Sequence, residues 1–226
     1  MRRREHLDHR VRAGLLTLVL LHGLGTGPSA WQPQLDALVD RDVVAPDLVP
    51  TYRLGFQAAV DAVTGLVSAG DDVCGLSLGG LVALHLATRV DVRRIVVCAA
   101  FDRLPADLRR RTRALAVLAR VMPRGLVHGQ LAAELPEPYR ERALDELASL
   151  GSAELSRLLW QAAGSVVDAK AIACEAIVAC GEHDRPNLAL SRDLAARLPN
   201  ARFEIVPKAG HVANLDNPDA FSTLLR

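Results

Sequence analysis

Gly75-Leu76-Ser77-Leu78-Gly79 places a serine between two glycines, after the apolar run Asp72 to Leu76 and before the helical pattern Leu78 to Thr88. A serine on so tight a strand-to-helix turn holds its hydroxyl out at the carboxyl edge of a sheet, where it can act as a nucleophile. Glycine on either side leaves room for the close backbone approach that such a turn forces. The N-terminus of the following helix favours negative charge developing beside it. Taken alone, the same five residues also suit a plain small-residue turn that packs a helix on a strand.

Three further segments give the serine partners. His22-Gly23-Leu24-Gly25-Thr26-Gly27 closes the apolar run Leu15 to Leu21. In such a loop the N–H of Leu24, together with the N–H of Leu78, can form an oxyanion hole. A dinucleotide-binding loop is the competing reading. It fails where G-x-G-x-x-G needs its third glycine, because that position holds Pro28, and Asp47 only approximates the acid expected after the second strand. Cys180-Gly181-Glu182-His183-Asp184 follows the run Ala176 to Cys180, so Asp184 falls just past a strand end, where an acid can orient a histidine ring. Asp102 is the rival acid, and a helix cap ahead of Leu188 is the rival role for Asp184. Lys208-Ala209-Gly210-His211-Val212 supplies the only histidine after that acid. His22 is expected to brace the oxyanion loop and His85 to lie on a helix face; His128 and His183 are set aside. The order Ser77, Asp184, His211 is that of a nucleophile–acid–base triad.

The elements needed to position these groups are legible in the hydropathy pattern. Candidate strands are Leu15 to Leu21, Val43 to Pro46, Asp72 to Leu76, Arg94 to Ala99, Ala176 to Cys180 and Arg202 to Val206. Their near-continuous apolar character suits parallel strands covered on both faces. Helical patterns lie between them at Trp31 to Val39, Gly55 to Ser68, Leu78 to Thr88 and Leu188 to Leu198. The alternation predicts an α/β fold: a mostly parallel central sheet flanked by helices. From about residue 102 to 169 no strand appears. Helical patterns at Asp107 to Val121, Pro138 to Leu150 and Ala153 to Ala163 predict an all-helical cap insertion within a single domain.

Composition removes several function classes. With 226 residues, half of them hydrophobic, the chain can bury a sizeable core. A formal net charge of +1 provides no electrostatic footprint for nucleic acid. No segment reaches the roughly 20 apolar residues of a membrane span. Cys74, Cys98, Cys174 and Cys180 sit in or beside apolar runs and imply no disulfide framework, which fits a cytoplasmic location. Arginines in Met1 to Arg12 followed by apolar Ala13 to Leu21 also resemble a signal peptide, with Pro28-Ser29-Ala30 as a poor cleavage site. Cleavage there would remove the glycine-rich loop, so the buried-strand reading is preferred.

From Leu15 onward the chain resembles the α/β-hydrolase superfamily, in particular small esterases with a helical cap. The resemblance rests on His22-Gly23 with Trp31 downstream, Asp47, Gly75 to Gly80, Gly181 with Asp184, and Gly210-His211 followed by Asp216-Asn217-Pro218. It implies hydrolysis through an acyl-enzyme, with no metal or organic cofactor. Serine as the nucleophile separates the chain from dehalogenases and epoxide hydrolases of the same fold, which use aspartate. Two features depart from the family. Only about a dozen polar residues precede the first strand where the family has an N-terminal hairpin: either the hairpin is absent or truncated or the start lies further upstream, and its absence would leave Val43 to Pro46 as a sheet edge open to homodimer formation. Val49-Pro50-Thr51-Tyr52 also replaces the usual Gly-x-Gly turn after Asp47.

The chemistry expected is attack by Ser77 on a small or medium carboxylic ester, with His211 as base and Asp184 holding its tautomer. Leu24, Leu78, Trp31 and Trp160 are the candidate pocket residues. Arg109-Arg110-Arg111 and Arg113 would either attract an anionic substrate or form a solvated helix face. The same triad also suits a C–C bond hydrolase, a lactonase or a cofactor-free perhydrolase, and the fold can serve a non-catalytic ligand-binding protein. The partner expected is a small-molecule substrate, without nucleic acid or membrane, for a monomer or homodimer.

Overall fold

The computed structural model describes residues 16–226. The candidate signal peptide, the family hairpin and Leu15 fall wholly or partly outside them. Six strands form one parallel sheet among the described residues: β1 (Leu18–Leu21), β2 (Val43–Val44), β3 (Asp72–Leu76), β4 (Arg94–Cys98), β5 (Glu175–Gly181) and β6 (Ala201–Val206), in the spatial order β2-β1-β3-β4-β5-β6. The central strands are buried on both faces, as their apolar runs require. Pleating divides them between two cores. Val19, Leu21, Val73, Ile95, Val97 and Val178 face one side. Leu18, Leu20, Cys74, Val96, Cys98 and Ile177 face the other. The two-residue β2 is the outer strand beside β1 and stops short of Pro46, whose missing N–H cannot extend a ladder.

Helices α1 (Gln32–Ala37), α2 (Val49–Tyr52), α3 (Phe56–Thr64) and α4 (Leu78–Ala87) connect the first strands; α9 (Arg185–Arg197) links β5 to β6, and α10 (Ala213–Asp216) and α11 (Pro218–Thr223) follow β6. Four helices separate β4 from β5: α5 (Ala106–Val121), α6 (Arg124–Ala133), α7 (Glu137–Leu147) and α8 (Ser152–Gly164). Helix α6 is not apparent in the hydropathy pattern, because Gly125 and Gly129 lower its intrinsic propensity. Helix α2 occupies the segment that replaces the family's glycine turn. This helical insertion is tied to the sheet's loops by polar contacts. Ser29 Oγ donates to Glu146 at 2.9 Å, the Phe56 N–H donates to Gln161 Oε1 at 2.9 Å, and Arg157 donates to the Arg53 carbonyl.

No described helix is long and apolar enough to cross a membrane. All four cysteines are free thiols, with Cys74, Cys98 and Cys180 buried.

Nearly every side chain of α4 is buried, which explains why its sequence lacks a polar face. The helix packs unusually close to the sheet. A Cβ on Gly79 would lie 2.7 Å from the His22 carbonyl oxygen and closer still to that of Leu21, and one on Gly75 would lie 2.6 Å from the Gly80 nitrogen. These are backbone atoms, which cannot swing aside. Gly79→Ala is therefore expected to cost at least about 2 kcal/mol through overpacking. A lower midpoint of urea unfolding at unchanged slope would be the readout, and an unshifted midpoint would contradict this packing.

Candidate active site

Three loops meet at the carboxyl edge of the sheet. The first is the β3–α4 turn, where Ser77 has φ +53° and ψ −115°. Such a conformation costs a non-glycine residue about 1–3 kcal/mol. Burial of Leu81, Val82, Leu84 and Leu86 on α4 outweighs it, since each contributes about 1.5–3 kcal/mol. The Ser77 N–H donates to the Cys98 carbonyl at 2.8 Å, anchoring the turn to β4.

The acid loop after β5 and the histidine loop after β6 are joined by backbone bonds. Glu182 N–H donates to the Val206 carbonyl at 3.0 Å and His183 N–H to the Ala209 carbonyl at 2.8 Å. Gly210 N–H donates to Asp216 Oδ2 at 2.7 Å, fixing the approach to His211. The outcome is a continuous relay: Ser77 Oγ lies 3.1 Å from His211 Nε2, and His211 Nδ1 lies 2.8 Å from Asp184 Oδ2. Asp184 is the N-cap residue of α9, yet its side chain makes no capping bond and serves the histidine instead. The rival acid, Asp102, is fully buried and occupied by Arg197 at 2.6 Å and 3.0 Å and by Arg103 at 3.2 Å.

Asn187 is a member of this cluster that the sequence does not single out. Its Nδ2 donates to both carboxylate oxygens of Asp184, at 2.8 Å and 2.9 Å, and lies 3.3 Å from His211 Nδ1. Only its place one turn into α9, after Asp184, could have suggested it. Burial pushes the Asp184 carboxyl up, but the bonds from His211 and Asn187 prevail and hold it below the usual carboxylate range. Burial likewise pushes the His211 imidazole down. The bond to Asp184 and the charges of Asp184, Glu134 and Asp216 prevail and raise it above 6.5.

The third loop carries Leu24. His22 is fully buried, and burial lowers its pKa to about 4, so the ring is neutral. Its Nε2 accepts from the Leu48 N–H at 3.0 Å, which leaves the proton on Nδ1 to donate to the Gly23 carbonyl at 2.9 Å. Tyr52 Oη donates to the His22 carbonyl at 2.8 Å, so α2 buttresses this loop. In a trans peptide the carbonyl and the following N–H point in opposite directions. Holding the Gly23 carbonyl against His22 therefore fixes the direction of the Leu24 N–H. The Leu78 N–H, first in α4, has no acceptor within the helix.

An apolar cavity of about 320 Å³ opens onto Ser77 and His211, and both Leu24 and Leu78 line it. Helices α5, α6 and α8 cover it through residues such as Leu108, Leu131 and Leu158. The two tryptophans expected in the pocket are elsewhere. Trp31 has no exposed surface and packs against Phe221 in the core on the other face of the sheet. Trp160 is 45% exposed on the outside of α8, with the Arg113 guanidinium 4.7 Å from its ring centre. Its side chain points away from the cavity because Leu158, Leu159, Ala162 and Ala163 form the inner face of that helix. Arg109, Arg110, Arg111 and Arg113 do not line the cavity either.

Comparison with known proteins agrees with this architecture. The alpha/beta hydrolase family matches residues 18–224. A protein of Enterobacter cloacae subsp. cloacae, provisionally named carbamate hydrolase RutD, is 30% identical over 94% of this chain and 90% of its own. Among solved structures, a thermophilic esterase from Thermogutta terrifontis superposes with a TM-score of 0.75 at 21% identity, covering 93% of this chain and 88% of that one. The enol-lactonase from Burkholderia xenovorans LB400 also gives 0.75, at 24% identity, covering 94% and 90%. With its six-stranded parallel sheet and flanking helices, the chain belongs to the alpha/beta hydrolase family.

Proposed function

We propose that this protein is a serine hydrolase that cleaves a small or medium carboxylic ester through an acyl-enzyme. The observation that carries the reading is the unbroken relay from Ser77 Oγ through His211 to Asp184 at the floor of an apolar cavity. His211 Nε2 takes the hydroxyl proton as Ser77 Oγ bonds to the ester carbonyl carbon. Asp184 holds the proton on Nδ1 and stabilises the imidazolium, and Asn187 holds Asp184. The N–H groups of Leu24 and Leu78 receive the oxyanion. His211 then protonates the departing alkoxide. Water, deprotonated by the same ring, releases the acid and restores Ser77.

A carbamate ester would follow the same route, and the name carried by the RutD relative supports including one in the substrate panel. Faster turnover of a carbamate ester than of its carboxylic ester counterpart would move the assignment to that class.

Intact mass after exposure to a fluorophosphonate should show a single adduct on the native protein and none on Ser77→Ala. Labelling that persists in the variant would contradict the assignment. On an ester substrate Ser77→Ala is expected to lower kcat by about a million-fold. Asp184→Asn is expected to cost on the order of ten thousand-fold, since it upsets the tautomer of His211.

The raised His211 fixes the sign of the pH dependence. The base must be neutral, so activity is complete above its pKa and falls about tenfold per unit below it. The acid limb of kcat/KM is expected above 6.5, and a limb at or below 6.5 would count against Asp184 as its partner.

His22→Leu removes the shorter of the two side-chain bonds that orient the Gly23–Leu24 peptide, the other being donated by Thr26 Oγ1 at 3.3 Å. Mainly kcat should fall, about a hundred-fold if one oxyanion donor is lost. A change in KM alone would contradict that role.

A further inference from the structure

The cavity is chemically one-sided. Among the described residues that line it, Glu134 and His211 are the only acidic or basic ones, and no lysine or arginine is present. Glu134 ends α6 on the edge of the cavity, and its carboxylate makes no ion pair with any described residue. The other lining groups are overwhelmingly aliphatic, whereas Glu134 itself is exposed at the rim, so its charge acts on an incoming molecule through partly solvated space. A carboxylate on an incoming molecule would lose hydration and meet Glu134, with the protonated form of His211 as the one cation of the lining. An ammonium group would find a partner already in place.

We propose that Glu134 sets the charge class accepted by this cavity, admitting neutral and ammonium-bearing molecules and turning carboxylates away. The inference rests on the cavity being the substrate site and deepens that reading. It sets aside anionic substrates, including a free carbamate anion, in favour of neutral esters and above all amino esters. The arginines of α5 do not alter this, because none of them lines the cavity.

The test separates binding from turnover. Hexylammonium, hexanol and hexanoate are titrated calorimetrically into Ser77→Ala and into Ser77→Ala carrying Glu134→Gln. Esters of matched length bearing an amine, no charge or a carboxylate are then compared on the enzyme with its serine intact. A carboxylate and an ammonium a few ångströms apart in a partly screened site differ from an uncharged pair by about tenfold in affinity. Hexylammonium should therefore bind about tenfold tighter than hexanol, and hexanoate more weakly than either. Glu134→Gln should collapse both ratios, and the kcat/KM ratios of the three esters should follow them.

A second readout is the acid limb. His211 is faced by Asp184 from the acid loop, Glu134 from α6 and Asp216 from α10, all favouring the imidazolium. Removing one of the three charges should move the limb to lower pH, which a merely structural glutamate would not do. Equal binding of the three probes, or a preference that survives Glu134→Gln, overturns the inference. Failure of the fluorophosphonate to label Ser77 overturns the hydrolase reading instead, and the binding ratios still decide the role of Glu134.

Discussion

Contact between backbone atoms where β1, β3 and α4 converge governs the whole site. Gly75 and Gly79 let the first turn of α4 lie against the carbonyls of Leu21 and His22 with nothing between them. That contact brings two separately built loops to one place: the turn holding Ser77 and the loop holding Leu24. A single added methyl would part them by more than a hydrogen bond can tolerate. The strained backbone of Ser77 is a consequence of the same contact. It persists because the helix behind it is buried almost all round and cannot relax outward.

The electrostatic design is layered outward from this point. Asp184 is 5% exposed and accepts from both His211 and Asn187, so its negative charge stays fixed and faces one way. His22 is the opposite case. It is a buried imidazole kept neutral, with both nitrogens committed to backbone groups. Two histidines thus share one site with separate duties, one able to change its charge and one serving only as geometry. The difference follows from their neighbours, since only His211 has a carboxylate in contact.

Much of this was readable in the sequence because it depends on local constraints. Strand β3 follows an apolar run bounded by turn residues, and the observed span Asp72–Leu76 matches its expected limits. Ser77, Asp184 and His211 each stand where a strand runs out, so a parallel sheet brings them to one edge whatever the details of packing. What could not be read depends on tertiary placement. Trp31 follows the glycine-rich loop closely, but the chain turns through a 3-10 helix at Pro28–Trp31 and buries the indole beneath the opposite face of the sheet. Trp160 lies one helical step outside the inward face of α8, and only the docking of the insertion decides which face is inward. Asn187 carries no motif of its own and acquires its role from the carboxylate it meets.

The four thiols bear on covalent chemistry in a way their packing does not announce. Burial pushes Cys74 and Cys98 far above the usual thiol range and raises Cys174 and Cys180 to about 11. A thiol attacks as its thiolate, so at neutral pH these sulfurs are nearly inert. Cys74, Cys98 and Cys180 lie in β3, β4 and β5, close to the edge where Ser77 stands, yet on the proposed reading they would not compete with it for an electrophile. Under the proposed serine chemistry, warheads ordinarily too indiscriminate where thiols are present, such as β-lactones and activated carbamates, would gain their selectivity from the protein, and a profiling reagent could be chosen for reach into the cavity alone.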